Sequence, residues 1–344
     1  LPWPARSGTA VSASSSRVGS ECRSMADVEE LTVSHSRVES FLRCARQEYY
    51  SYSRKLQKQE TSVALGLGSA IHSVLEALYR HVLVTGGMNK RKQKAAYPGG
   101  AKKALARIEE LYAEGFTDSD KRAPLRLIIE KYLQREPFID NAWRGDDDRQ
   151  WLIMAVEKEF RIEWDPETKS SYPFVVDLLV KDPDGYVIVV DNKGVYDLYS
   201  FEETELMAQI PKYIGGLRAL GYKIGNYGVY NMLRTRPDPK TKARPLSEWA
   251  KFLDLKITGT RVLRTFEEQI VASQLVHELD QLSPEDRDRR ALRTHNKDTC
   301  TRMCDFRDLC VSELAGRNTA VLLRSTYQTK KGRDKIEISS EAGT

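Results

Sequence analysis

The stretch YPFVVDLLVKDPDGYVIVVDNK, residues 172–193, constrains the fold of this chain more than any other. Two β-rich runs, 172–181 and 186–193, flank Asp182, Pro183, Asp184 and Gly185. Proline presets φ in that tetrapeptide and glycine accepts a positive φ, so the segment predicts a tight turn between antiparallel strands. The second strand ends unusually. Val187 to Val190 reads as buried strand, yet it runs straight into Asp191, Asn192 and Lys193. A carboxylate left unpaired at the end of a buried strand is costly, so this one needs a partner.

Helical periodicity surrounds the hairpin. Over residues 32–52, Val38, Phe41, Leu42 and Ala45 fall on one stripe and predict a helix containing Cys44; a second apolar helix covers 63–84, entered through Gly66 and Gly68. Residues 85–100, TGGMNKRKQKAAYPGG, have glycines near both ends and carry Lys90, Arg91, Lys92 and Lys94, which predicts a basic loop. Helical patterns follow at about 101–115 and 121–134, then a β-rich run at 151–164. Ser200 and Glu203 form a capping box that opens a helix over 201–219, with a kink expected at Pro211. A strand at 226–235 and a helix at 264–282 complete the pattern. This order predicts one α/β core around a hairpin-centred sheet, with a helical insertion at about 85–150.

The 344 residues, 40% of them hydrophobic, suffice for a large core, and no run approaches the roughly 18 apolar residues of a membrane helix. The net charge of +5 permits a nucleic-acid partner without requiring one. Residues 1–24 lack the continuous apolar core of a secretory signal and read as a disordered leader, with a transit peptide as the alternative. Residues 25–325 form the expected folded domain, and 326–344 a flexible tail. Five cysteines, an odd number without a secretory signal, speak against a disulfide framework and for a reducing, cytoplasmic compartment.

Residues two apart on a strand share a face, so Asp191 and Lys193 project together while Asn192 points away, its carbonyl near the same edge. The preceding strand brings Asp177. Two converging carboxylates repel each other unless a cation lies between them, and oxygen ligands of this kind suit Mg²⁺ or Mn²⁺. A lysine beside them can stabilise negative charge or help activate a water for attack on a phosphodiester. Taken alone, the same residues also read as solvent-facing strand ends with a salt bridge. Two further pairs lie on helix faces: Gly68 with His72, where the glycine would admit another backbone, and Gln209 with Tyr213. Each in isolation reads as a core histidine or a polar surface patch.

In chain order these residues make the series G-x3-H, D, D-x-K, Q-x3-Y. The series resembles the RecB-type branch of the PD-(D/E)XK nuclease superfamily, which includes CRISPR-associated and phage exonucleases, over roughly residues 32–312. The resemblance implies a restriction-endonuclease-like α/β fold with a mixed central sheet. It also implies that His72, Asp177, Asp191 and the carbonyl of Asn192 bind Mg²⁺ or Mn²⁺, and that Lys193 is catalytic. Gln209 and Tyr213 would line the site and help position DNA. One departure is Phe174, where members of the branch often carry glycine three residues before the first acid.

Cys300, Cys304 and Cys310 form a C-x3-C-x5-C run, and Cys44 completes a set of four; four thiolates can hold an iron–sulfur cluster or zinc, with free structural thiols as the remaining reading. The absence of a C-x2-C pair favours iron. The resemblance implies a 4Fe-4S cluster joining the N- and C-terminal segments, although the usual spacing there is C-x2-C-x5-C. Cys22 lies in the leader, outside this set. The expected function is therefore a metal-dependent exonuclease acting on single-stranded DNA or DNA ends in recombination, repair or phage DNA metabolism. The alternative is a cluster-stapled DNA-binding or scaffold subunit with an inactive nuclease site. No G-x4-G-K-[ST] phosphate loop is present, so ATP-driven unwinding would come from a helicase partner. Lys90, Arg91, Lys92 and Lys94, and the stretch 234–244, offer either phosphate grips or solvated surface charge.

Overall fold

The computed structural model describes residues 33–59, 63–134, 151–165, 170–182, 184–238 and 244–330. The leader with Cys22, the tail beyond 330, Pro183 and part of the 85–150 insertion lie outside the described residues. The elements in chain order are α1 (His35–Arg43), α2 (Ala45–Glu48), β1 (Leu56–Lys58), α3 (Val63–Gly86), α4 (Lys90–Ala113) and α5 (Leu125–Leu133). Next come β2 (Leu152–Asp165), β3 (Ser170–Lys181), β4 (Val187–Val195), α6 (Phe201–Glu205), α7 (Gln209–Ala219) and β5 (Ile224–Arg234). The rest are β6 (Ala250–Lys256), α8 (Gly259–Asp280), α9 (Pro284–Arg290), α10 (Arg307–Leu314), α11 (Ala320–Thr326) and β7 (Tyr327–Thr329).

The central sheet has the order β2-β3-β4-β5-β6. β4 and β5 run parallel and the other neighbours antiparallel, which gives the mixed sheet expected from the sequence. The hairpin forms as predicted: Gly185 adopts φ +88°, and its N–H reaches the Asp182 carbonyl at 3.1 Å. β1 and β7 make a separate antiparallel pair.

Alternation along β4 assigns the two faces. Ile188 and Val190 pack with Val229 and Leu233 under α3, α4 and α5, whereas Val187 and Val189 pack with Tyr230 and Met232 under α7 and α8. Asp191 and Lys193 continue the second set, and Asn192 the first. Among the described residues no helix is long and apolar enough to cross a membrane.

Residues 327–329, at the start of the expected flexible tail, are strand β7 paired with β1, and Tyr327 is buried. The structure departs from the sequence expectations in four further places. The helix over 32–52 is interrupted at Cys44, which is extended at φ −167°. Residues 292–294 take up the hydrogen bonds at the break: Arg46 N–H donates to the Leu292 carbonyl at 2.9 Å, and Thr294 Oγ1 to the Arg43 carbonyl at 2.6 Å. The second departure is α4, which occupies most of the expected basic loop and is capped by Asn89 Oδ1 accepting from Lys92 N–H. Gly100 serves packing, not flexibility. A Cβ on Gly100 would lie 2.8 Å from the Leu78 carbonyl, so α4 crosses α3 there at a distance that favours glycine, whereas one on Gly99 would meet only the movable end of His81.

Third, the expected helix over 201–219 is two helices. The capping box is present, but the chain breaks at residues 206–208, where the Arg261 guanidinium donates to the carbonyls of Glu205 and Met207. Pro211 sits in the first turn of α7, where a missing N–H costs no intrahelical bond, and so does not produce the kink. Fourth, α3 meets β4 beside Gly68, whose Cα lies 3.7 Å from a Cβ placed on Gly194, but Gly68 is not the residue whose missing side chain makes the room. A Cβ there meets nothing within 4 Å, whereas one on Gly194 would lie 2.8 Å from Ile71 Cδ1. The tight crossing of α3 over β4 is therefore set from the strand, one residue past Lys193.

Candidate metal centre and cysteine cavity

β3 and β4 pair from Lys181↔Val187 to Leu178↔Val190 and then separate. One residue further, the Asp177 side chain replaces the ladder, its Oδ2 accepting the Asn192 N–H at 2.7 Å. α3 supplies His72, whose Nδ1 lies 3.5 Å from Asp177 Oδ2 and 3.7 Å from Glu157 Oε1. One ligand atom each from His72, Glu157 and Asp177 falls within a 4.8 Å group. Glu157, on β2 between the register pairs Val156↔Leu178 and Lys158↔Val176, has φ +45°. Positive φ at a non-glycine strand residue is strained, and such strain concentrates at functional sites. Sequence reasoning missed Glu157. It is one of three glutamates between 151 and 164, and only the register opposite Asp177 singles it out.

Asp191 is 0% exposed, and neither carboxylate oxygen accepts a hydrogen bond. Lys193 Nζ approaches Oδ2 to 2.8 Å, but outside hydrogen-bonding geometry. The ammonium instead donates to Gln209 Oε1 at 2.6 Å, and Gln209 Nε2 donates to the Tyr213 hydroxyl at 3.0 Å. Tyr213 stacks on Phe174 with 5.5 Å between ring centroids, so the aromatic side chain at 174 supports this relay. The Asn192 side chain turns to the other face, where its Oδ1 accepts from Asn231 Nδ2 at 2.7 Å.

The electrostatics match the geometry. Burial, then the charge of Asp191, pushes the Asp177 carboxyl up to about 7, against the opposing pull of His72. Burial works against the Lys193 ammonium, but Asp191 outweighs it and holds the lysine above its usual range. His72 is likewise disfavoured as a cation by burial, yet Glu157, Asp177 and Asp191 raise its pKa. His72, Glu157 and Asp177 are a donor set that fits a hard divalent cation, whereas Asp191 lies outside that 4.8 Å group, its Oδ2 facing the Lys193 ammonium.

This has a measurable consequence for the metal-free protein. A carboxyl raised in the fold contributes stability that is present below its unfolded value near 4 and is lost as the pH rises through about 7. Asp177→Asn keeps an acceptor for Asn192. In EDTA it is expected to melt above the parent at pH 8, by a margin that shrinks as the pH falls toward 4. Calorimetric melts across that range check it, and a pH-independent margin would contradict it.

A sequence model of the PD-(D/E)XK nuclease superfamily matches residues 32–311. The chain belongs to this superfamily. Its members are nucleases that use divalent metals, and the mixed sheet flanked by helices is consistent with their restriction-endonuclease-like fold. Among curated proteins, none matches the chain.

The matched region of this PD-(D/E)XK nuclease also spans the cysteine set. Cys44 at the α1–α2 break, Cys300 in the π-helical turn Thr299–Met303, Cys304 just after it and Cys310 on α10 line one cavity of about 220 Å³. Arg293 Nε donates to Cys310 Sγ at 3.1 Å. Burial raises the Cys304 thiol, and the charges of Cys44, Cys300 and Cys310 raise it further, partly offset by the Phe306 N–H. Among the described residues no three sulfurs lie within 4.8 Å of one another.

Proposed function

We propose that this chain is a metal-dependent DNA exonuclease of the RecB-type branch, hydrolysing phosphodiester bonds of single-stranded DNA or DNA ends in recombination, repair or phage DNA metabolism. The observation that carries this reading is the buried Asp191 carboxylate, without a hydrogen bond and flanked by Lys193. In this reading His72, Asp177, Asp191 and the Asn192 carbonyl hold Mg²⁺ or Mn²⁺, with Glu157 as a further carboxylate beside His72. When bound, such an ion supplies charge stabilisation and an activated water. Lys193, kept as an ammonium, directs positive charge at the oxygen that becomes negative in the transition state. Gln209 holds that ammonium in place, and Tyr213 holds Gln209. End-labelled single- and double-stranded DNA should be degraded with Mn²⁺ and spared with EDTA. Intact DNA in both lanes overturns the reading.

The same proposal assigns residues 25–325 to one nuclease domain with a helical insertion at about 85–150, stapled by a 4Fe-4S cluster on Cys44, Cys300, Cys304 and Cys310. What supports a shared group is that the four thiols line one cavity, and the absence of a C-x2-C pair favours iron over zinc. The donors to Cys44 and Cys310 suit thiolates: the backbone N–H groups of Thr294 and Gln47 pull the Cys44 thiol down despite burial. Anaerobically purified protein is expected to be brown, with about four irons per chain. Cys300→Ser should lose iron and melt lower. Colourless protein with one zinc per chain contradicts the cluster.

A further inference from the structure

Beyond Lys193, at the carboxyl ends of β4 and β5, the chain gathers a group the metal centre does not use. Tyr196 follows the last residue of β4 and remains 46% exposed. The Arg122 guanidinium lies 4.6 Å from its ring centroid and that of Arg236 lies 5.6 Å away. The arrangement is braced from three segments. Thr235 N–H donates to the Val195 carbonyl and Ala123 N–H to the Thr235 carbonyl, both at 2.7 Å, and Arg122 Nη1 reaches Thr235 Oγ1 at 2.7 Å.

The charges at this end do not cancel. Arg234 pairs with Asp197 and Glu248, Arg236 with Asp197, and Arg244 with Asp238 and Glu248. Arg122 has no carboxylate within 4.0 Å among the described residues, so four guanidiniums meet three carboxylates. An exposed aromatic ring bordered by a surplus of arginine offers base stacking and phosphate contacts together, the combination that binds single strands. A paired base inside a duplex does not present the open face that stacking requires. Tyr196 lies three residues along the chain from Lys193, at most about 10 Å, a separation that a few nucleotides of a strand held at the metal centre would span.

We infer that Arg122, Tyr196 and Arg236 form a subsite for single-stranded DNA, with a base on Tyr196 and flanking phosphates on the two arginines. The inference rests on the nuclease reading above and names the substrate class of that site. Binding is measured by fluorescence anisotropy with Ca²⁺ as the divalent ion, using a labelled oligo(dT) of roughly 16 nucleotides and a blunt duplex of equal length. Tyr196→Ala should weaken single-strand binding about tenfold and leave duplex binding within about twofold. Tyr196→Phe, which keeps the ring, should bind as the parent does. Arg122→Gln should reduce the salt dependence by about one phosphate contact. In cleavage assays Tyr196→Ala should raise KM and leave kcat unchanged. Single-strand binding equal to the parent's, or an equal loss on duplex, overturns the subsite. A parent protein inert toward all DNA with Mn²⁺ overturns the nuclease reading instead, and the binding comparison still decides the subsite.

Discussion

Asp191→Ala is expected to reduce DNA cleavage to background and abolish measurable Mn²⁺ binding, whereas Lys193→Ala should still bind the metal while cleaving about a hundredfold more slowly. The two side chains project from one face of β4 and lie 2.8 Å apart, yet their parts differ. Asp191 presents two buried oxygens without hydrogen bonds and with the Lys193 ammonium against only one of them, so its carboxylate can still take a metal ion. Lys193 carries a charge that Asp191 keeps on it, and Gln209 aims the ammonium. Removing the lysine leaves every oxygen of the donor set in place. Titration calorimetry with Mn²⁺ and single-turnover digestion of labelled DNA separate the two effects. If both variants cleave like the parent, the DNK stretch of β4 is a strand segment with a salt bridge and nothing more.

Arg287→Ala is expected to lower unfolding free energy by about 3–5 kcal/mol. Glu48 is 0% exposed, and its two oxygens are held by Arg287 and by Arg37, the latter at 2.8 Å; Arg37 in turn reaches Asp280 at 2.6 Å. Without Arg287 the Glu48 carboxylate stays buried with half its partners gone, and that uncompensated charge is the main cost. The network clamps α2 to α8 and α9, next to the segment that carries Cys300, so its loss should also loosen the cysteine cavity. Urea unfolding measures the effect, and a change below about 1 kcal/mol would mean that water reaches Glu48 and screens it. Replacing Glu48 and Arg287 together by leucine should cost less than Arg287→Ala alone, because the charges that remain, Arg37 and Asp280, still pair with each other.

The features legible in the sequence are those whose physics is local. The hairpin follows from a proline and a glycine in a four-residue turn between β-rich runs, and Gly185 takes the positive φ that its place demands. The shared face of Asp191 and Lys193 follows from the strand period of two, and the Gln209–Tyr213 contact from the helical spacing of four. The Ser200 capping box is likewise contained within four residues. What misled was the same local chemistry when distant packing outweighed it. Gly100 looks like a loop former but serves the close approach of α3, and Cys44 breaks a periodic helix where residues 292–294 bind its broken ends.

The sequence by itself determined the strand that carries the two acids and the lysine, the helix face that carries the glutamine and tyrosine, and the family to which they point. Only the tertiary structure selected Glu157 from its neighbouring glutamates, brought Cys44 to a cavity with three cysteines some 256 to 266 residues away, and set Arg122 and Arg236 beside Tyr196. The reason is the range of the interactions. A turn or a helix face is decided by dihedral preferences and spacing within a few residues, whereas strand register and helix crossings depend on burial shared among segments far apart in the chain.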